Sequence, residues 1–299
     1  MNITEEPSKE VKPVRRFRLW LYLFIVLGLS WPFMCIPLIK AINGIKTSQF
    51  EAQVWSGILM WMVTVGSYIC GRWVFRDGFR SIGWRWGSAG SWALAFGLAL
   101  LVFGAPPVLA TLLDGIPANF KWAAFWSTLS YIFVDCIFGF GEEFGWRGYL
   151  LPRLWWLGPR RAVMANAVIW WIWHIPTVEL GFFLLAPIIA EKLNLSTSAY
   201  LQTIVLRQIP LTFVSAIFAG VIFCYVWVRS GSIVVASVFH GIWGTVRNLS
   251  VLWTGSVMTA YLPVILIVVV GLLLLWRGRW ILPEEKDFPK RKPVLLNQE

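Results

Sequence analysis

Eight stretches of roughly 20 apolar residues recur along this 299-residue chain, near residues 19–39, 54–75, 90–113, 123–146, 161–180, 207–229, 232–252 and 256–276. A helix rises ~1.5 Å per residue, so each stretch is long enough to cross a hydrocarbon core of about 30 Å. Inside lipid, every backbone N–H and C=O must find its partner within the segment, which leaves the helix as the spanning structure for runs of this length. The expected fold is therefore all-α: a polytopic membrane protein of about eight transmembrane helices. Between these runs, Gly181–Ala190 is apolar but only half a span long, and is expected to be interfacial or re-entrant.

Composition excludes the soluble classes. The chain is 58% hydrophobic with a mean hydropathy of +0.68 and 14% charged residues, against about 25% charged in soluble domains. Its 21 tryptophans suit bilayer interfaces, where an amphipathic ring satisfies both sides. The net charge of +11 raises nucleic acid as a partner, but the basic residues sit in short clusters between apolar runs and form no stripe on a water-soluble face. No nucleic-acid partner is expected. Cys35, Cys70, Cys136 and Cys224 fall within apolar runs with no C-x-x-C spacing and read as buried thiols.

The Lys and Arg residues set the orientation. One side collects the five that precede the first apolar run, then Arg72, Arg76, Arg80 and Arg85, then Arg147, Arg153, Arg160 and Arg161, then Arg229 and the six after Trp276, which is 20 of the 26; the other side holds Lys40, Lys46, Lys121, Lys192, Arg207 and Arg247. By the positive-inside rule both termini are expected in the cytoplasm. The first span follows Arg15, Arg16 and Arg18 as a signal sequence would, but it is too long and lacks a small-x-small cleavage site, so it is expected to be retained. The organisation is then a cytoplasmic segment at 1–18, a transmembrane domain at 19–277 with its motifs within 120–250, and a charged cytoplasmic tail at 278–299 expected to be disordered.

An ionisable side chain at membrane depth costs at least ~2.5–3.5 kcal/mol, so each needs a partner, a wet cavity or a function. The chain has Asp135, Glu142, Glu143 and Arg147 in the fourth run, His174 in the fifth and His240 in the seventh; these are its only two histidines. Glu143 and Arg147 are four apart, hence neighbours on one helical face, and are expected to pair as a supporting element. Glu142 lies around the helix without an intrahelical cation and is the candidate acid or base. Counted from Arg153, Arg161 and Gly231 in turn, Glu142 lies about 16 Å deep, His174 about 20 Å and His240 about 13 Å. Three helices thus bring a Glu and both His residues to one layer, which implies a shared site opening toward the cytoplasm.

Glu142-Glu143-Phe144-Gly145-Trp146-Arg147 resembles the Glu-Glu-x-x-x-Arg signature of the CPBP (Abi) family, which includes the type II CAAX prenyl proteases. The aromatic-x-x-x-His motif of that family is matched from Trp170 to His174, with Trp for the usual Phe. Its His-x-x-x-Asn motif is matched at His240, but the fourth position is Gly244. The resemblance implies an intramembrane endopeptidase in which Glu142 and His174 activate a water and His240 stabilises the oxyanion. Asn248, one turn beyond Gly244, is a candidate substitute for the missing donor, as is Thr245. Family members are often called metalloproteases. H-E-x-x-H is absent, no cofactor is certain, and a zinc ion, where present, would be expected on Glu142, His174 and His240.

The implied partners are a peptide or membrane-protein substrate and the lipid bilayer, and the implied location is multi-pass in the cell membrane. Two rivals use the same architecture. A noncatalytic scaffold or self-immunity protein is favoured by Gly244, and a proton-coupled transporter by the buried ionisable residues, although no inverted repeat is visible.

Overall fold

The apolar runs fold as helices in the computed structural model, which describes residues 11–117, 120–253 and 257–282. In chain order these are α1 Val11–Ile42, α2 Gln49–Ile69, α3 Ala89–Ala99, α4 Ala105–Asp114, α5 Trp122–Ser130, α6 Ile132–Glu143, α7 Leu151–Leu154, α8 Pro159–His174, α9 Glu179–Leu184, α10 Ala186–Lys192, α11 Thr197–Thr203, α12 Ile209–Ser230, α13 Ile233–Ser250 and α14 Val257–Arg277. No strand occurs among the described residues. The N-terminal segment up to residue 10 and the tail from residue 283 lie outside them.

Among the described residues, six stretches are long and apolar enough to cross a membrane: Arg16–Ile42, Gln53–Val74, Ala89–Asp114, Pro159–Leu184, Thr197–Ser230 and Met258–Arg277. The chain is an integral, multi-pass membrane protein. The fourth expected run is a broken pair, Trp122–Ser130 and Ile132–Leu157, bent by 47°, which makes a seventh span if counted as one. At the break Ser130 Oγ donates to the Ser127 carbonyl at 2.7 Å, a local bond that competes with the helical ladder. The run expected at 232–252 is helical as α13 but is not among the apolar spans, since His240, Thr245, Arg247 and Asn248 lower its hydropathy. Gly181–Ala190 falls on the short helices α9 and α10.

The described helices form two compact units, one from the residues up to 78 with 173–204 and the other from 79–172 with those from 205 onward. In the first, α1 and α2 approach closely at Gly66, where a Cβ would lie 2.9 Å from Val26 Cγ2. The Tyr22 hydroxyl joins Ser67 Oγ across the same seam at 2.9 Å. Pro32 and Pro37 lie within α1, where a membrane helix tolerates them. At the α1–α2 turn Lys40 pairs with Glu51 and holds its carboxyl below the usual range.

In the second unit the α12–α13 turn is built on Gly231, whose φ of +56° ends α12 in the left-handed conformation that favours glycine. The Gly231 carbonyl accepts from Arg85 Nε at 2.7 Å, and the Ile233 amide donates to the Gly83 carbonyl at 2.9 Å. Ser232 then caps α13, accepting from the Val235 amide at 3.2 Å. This turn anchors the start of α13, which lies along α6 more extensively than any other two helices pack.

The α6–α13 contact rests on two reciprocal glycines. A Cβ at Gly139 of α6 would lie 2.7 Å from His240 Cβ and from the Ser237 carbonyl. One at Gly241 of α13 would lie 2.5 Å from the Cys136 amide nitrogen and from its Sγ. Small residues let membrane helices approach at backbone distance. Here that approach brings His240 against the Glu-rich end of α6.

Candidate active site

After Glu143 the helix widens into a π-helical segment, Phe144–Leu150, every residue of which is buried. Such segments are uncommon and frequent at functional sites. The Trp146 carbonyl within it accepts from the Leu151 amide and from Asn166 Nδ2 of α8 at 2.8 Å. Asn166 is fully buried, and its Oδ1 accepts in turn from Cys224 Sγ of α12 at 3.3 Å.

Arg147 projects from this widened turn and is fully buried with Glu143. Its Nη1 donates to Glu143 Oε1 at 2.9 Å, the pair expected from their spacing. The guanidinium carbon lies 4.9 Å from the ring centres of both Trp170 and Phe223, so two aromatic faces cover the charge. A buried arginine between a carboxylate and two rings is a costly charge made tolerable by its neighbours.

Glu143 has a second partner that spacing along one helix cannot reveal. His240 Nδ1 of α13 lies 2.9 Å from the same Oε1. Glu143 is thus more than the structural half of an ion pair; it orients the histidine. Its other oxygen, Oε2, is buried without a hydrogen-bond partner among the described residues. The His240 ring packs edge-on against Phe223, with centroids 5.1 Å apart.

Glu142 is held differently. Its Oε2 accepts from Trp170 Nε1 of α8 at 2.8 Å. The two adjacent carboxylates therefore have separate partners, an arginine and a histidine for Glu143 and an indole N–H for Glu142. Both carboxylates are buried.

Among the described residues, Glu142, Glu143 and His240 form a group whose ligand atoms lie within 4.8 Å of one another. The metal set expected from sequence had His174 in the place that Glu143 takes here. His174 ends α8, four residues after Trp170, and belongs to the unit containing residues 173–204. There its ring meets Trp173 edge-on at 4.7 Å, and its carbonyl accepts from the Thr177 and Val178 amides at 3.0 and 2.9 Å.

The remaining polar residues make a second layer on α6 and α13. Thr245 Oγ1 donates to Asp135 Oδ2 at 2.9 Å, so Thr245 is engaged. Asn248 is exposed, with Arg247 Nη2 3.5 Å from its Oδ1. Gly244 leaves open space, since a Cβ built there meets nothing within 4 Å. Asn166 and Phe223 escaped the sequence reading: neither is ionisable, and an aromatic inside an apolar run gives no signal of the ring it will face.

Residues 122–246 match the family model described as type II CAAX prenyl endopeptidase Rce1-like. The match covers the three motifs and the whole of α6 and α8. No curated protein and no solved structure matches the chain.

Proposed function

With an Rce1-like core at residues 122–246 as the premise, we propose that this chain is a CAAX-type intramembrane endopeptidase of the cell membrane. It hydrolyses a peptide bond in a peptide or membrane-associated substrate, with Glu142 as general base. The observation that carries this is the division of partners between neighbouring carboxylates. Glu143 Oε1 takes both Arg147 and His240 at 2.9 Å, while Glu142 takes the Trp170 N–H on its Oε2 at 2.8 Å.

In the reaction Glu142 takes a proton from a water whose oxygen attacks the substrate carbonyl carbon. The carbonyl electron pair moves to oxygen and gives a tetrahedral oxyanion. Its collapse breaks the C–N bond, and the departing amine takes the proton from Glu142. His174 is assigned to the same water on the aromatic-x-x-x-His motif alone, which falls within the family match. With Nδ1 directed at Glu143, His240 has Nε2 left to face the oxyanion. Donation from Nε2 requires protons on both ring nitrogens, and Glu143 is the counter-charge for that state.

The donor set also fits a divalent cation, since three ligand atoms converge and Glu143 Oε2 is buried without a hydrogen-bond partner among the described residues. Glu142, Glu143 and His240 would hold it, and it would supply a polarised water. Against this, Arg147 already places a positive charge 2.9 Å from Glu143 Oε1, and metal-independent chemistry is the reading we favour.

Glu142→Ala, His174→Ala and His240→Ala, each purified and assayed on a substrate found by comparing membrane peptides from wild-type and Glu142→Ala cells, are expected to lose about 10²–10⁴-fold in turnover. Wild-type turnover should persist at sub-stoichiometric metal content. Unchanged cleavage in all three variants would overturn the mechanism.

A further inference from the structure

Trp170 touches both Glu142 and the cation that pairs with Glu143. The edge of its indole donates Nε1–H to Glu142 Oε2 at 2.8 Å, and its face covers the Arg147 guanidinium at 4.9 Å. Indole and carboxylate are both buried, at 8% and 3% exposure, so water competes little for this bond. The indole ring also packs against Phe223, with centroids 5.5 Å apart and planes tilted by 35°. Gly220 of α12 lets α8 come close beside it: a Cβ there would lie 2.8 Å from Ala167 Cβ and 3.6 Å from Trp170 Cε3.

This arrangement solves a problem that two adjacent buried carboxylates create. A buried cation, Arg147, lies beside them, and whichever carboxylate pairs with it is stabilised as a spectator. The Trp170 ring covers that cation, which bonds Glu143, while its N–H occupies one oxygen of Glu142. The two carboxylates thus take different donors, Glu143 the cation and Glu142 the indole. A phenylalanine at this position would supply the covering ring without the N–H, leaving a buried carboxylate oxygen with no donor.

We infer that Trp170 is a positioning residue that holds Glu142 out of the Glu143–Arg147–His240 network and orients it toward the attacking water. The inference rests on the reading of Glu142 as the base. Its consequence is that catalysis depends on a single N–H, beyond the space the ring fills.

Replacement of Trp170 by its sulfur isostere 3-benzothienylalanine removes that N–H and keeps the bicyclic shape; Trp170→Phe is the encodable counterpart. Both are expected to lower kcat by about 10- to 100-fold, the scale of a hydrogen bond to a charged group, with KM within about twofold and a thermal midpoint lowered only slightly, as a buried carboxylate oxygen loses its donor. In the full-length protein in detergent, the Trp170 indole N–H resonance, assigned from Trp170→Phe, should move when Glu142 is replaced by Gln. Unchanged kcat in the isostere, or an indole resonance indifferent to Glu142→Gln, would overturn the proposal. Failure of the protease reading is distinguishable: Glu142→Ala would then cleave as the wild type does, while the resonance still tests the contact.

Discussion

Gly244 lies one helical turn beyond His240, on the same face of α13, where the resembled motif carries an asparagine. Its surroundings are empty to 4 Å from a built Cβ. The two nearby candidates for a substitute donor are not equivalent: Thr245 is given to Asp135, and Asn248 is exposed. Gly244→Asn should therefore fold without steric cost and at an unchanged or slightly raised thermal midpoint, since glycine is a poor helix residue. If the oxyanion is stabilised from this face, the added amide should raise single-turnover cleavage, by as much as about 10²-fold. A fall in rate would mean that the open space is occupied by substrate. Glu143 carries the residue-scale lesson. Its pairing with Arg147 was legible because four residues make one turn, but its bond to His240 was not, because that partner is 97 positions away on another helix.

At the scale of the element, the precision of the site depends on how closely α6 and α13 approach. Gly139 faces His240 and the Ser237 carbonyl, and Gly241 faces the backbone of Cys136, so neither contact can relax by turning a flexible side chain. Gly139→Ala or Gly241→Ala should cost about 1–3 kcal/mol through overpacking. Each should also lower activity more than the stability loss explains, because the forced separation acts directly on the 2.9 Å bond from His240 to Glu143. Gly97→Ala on α3 is the contrasting case: nothing lies within 4 Å of its built Cβ, and removing a helical glycine there should leave stability unchanged or increase it. Thermal midpoints and cleavage rates of the three variants side by side check both statements. The existence of these helices was readable from apolar length alone. The 47° break near Tyr131 and the π-helical turn at Phe144–Leu150 were not. Both are settled by where individual hydroxyls and carbonyls find partners, and a hydropathy run contains no such information.

For the whole molecule, α13 is the exception among the expected spans: its run was legible in the sequence, yet it is not apolar enough to count as a span. A helix that carries the site's polar residues, and buries them against α6, need not be apolar enough to stand alone in lipid. The arrangement across the bilayer then has to be argued from charge. The basic clusters at Arg72–Arg85 and Arg147–Arg161 fall on one side of the expected topology, and Lys40, Lys46, Lys121 and Lys192 on the other. Arg160 and Arg161 are exposed at the start of α8, and Lys46 is exposed between α1 and α2. The four native cysteines are no obstacle to labelling at these points once removed, since none is in a disulfide and Cys70 and Cys224 are buried. In a cysteine-free background, Lys46→Cys should react with a membrane-impermeant maleimide in intact cells. Arg161→Cys should react only after the membrane is opened. Glu142 lies at the end of α6 from which the chain continues toward Arg153 and Arg161, so this labelling pattern would also fix the side from which water and substrate reach the base. The reverse pattern would turn the site to face outward, and with it the class of peptide it could meet.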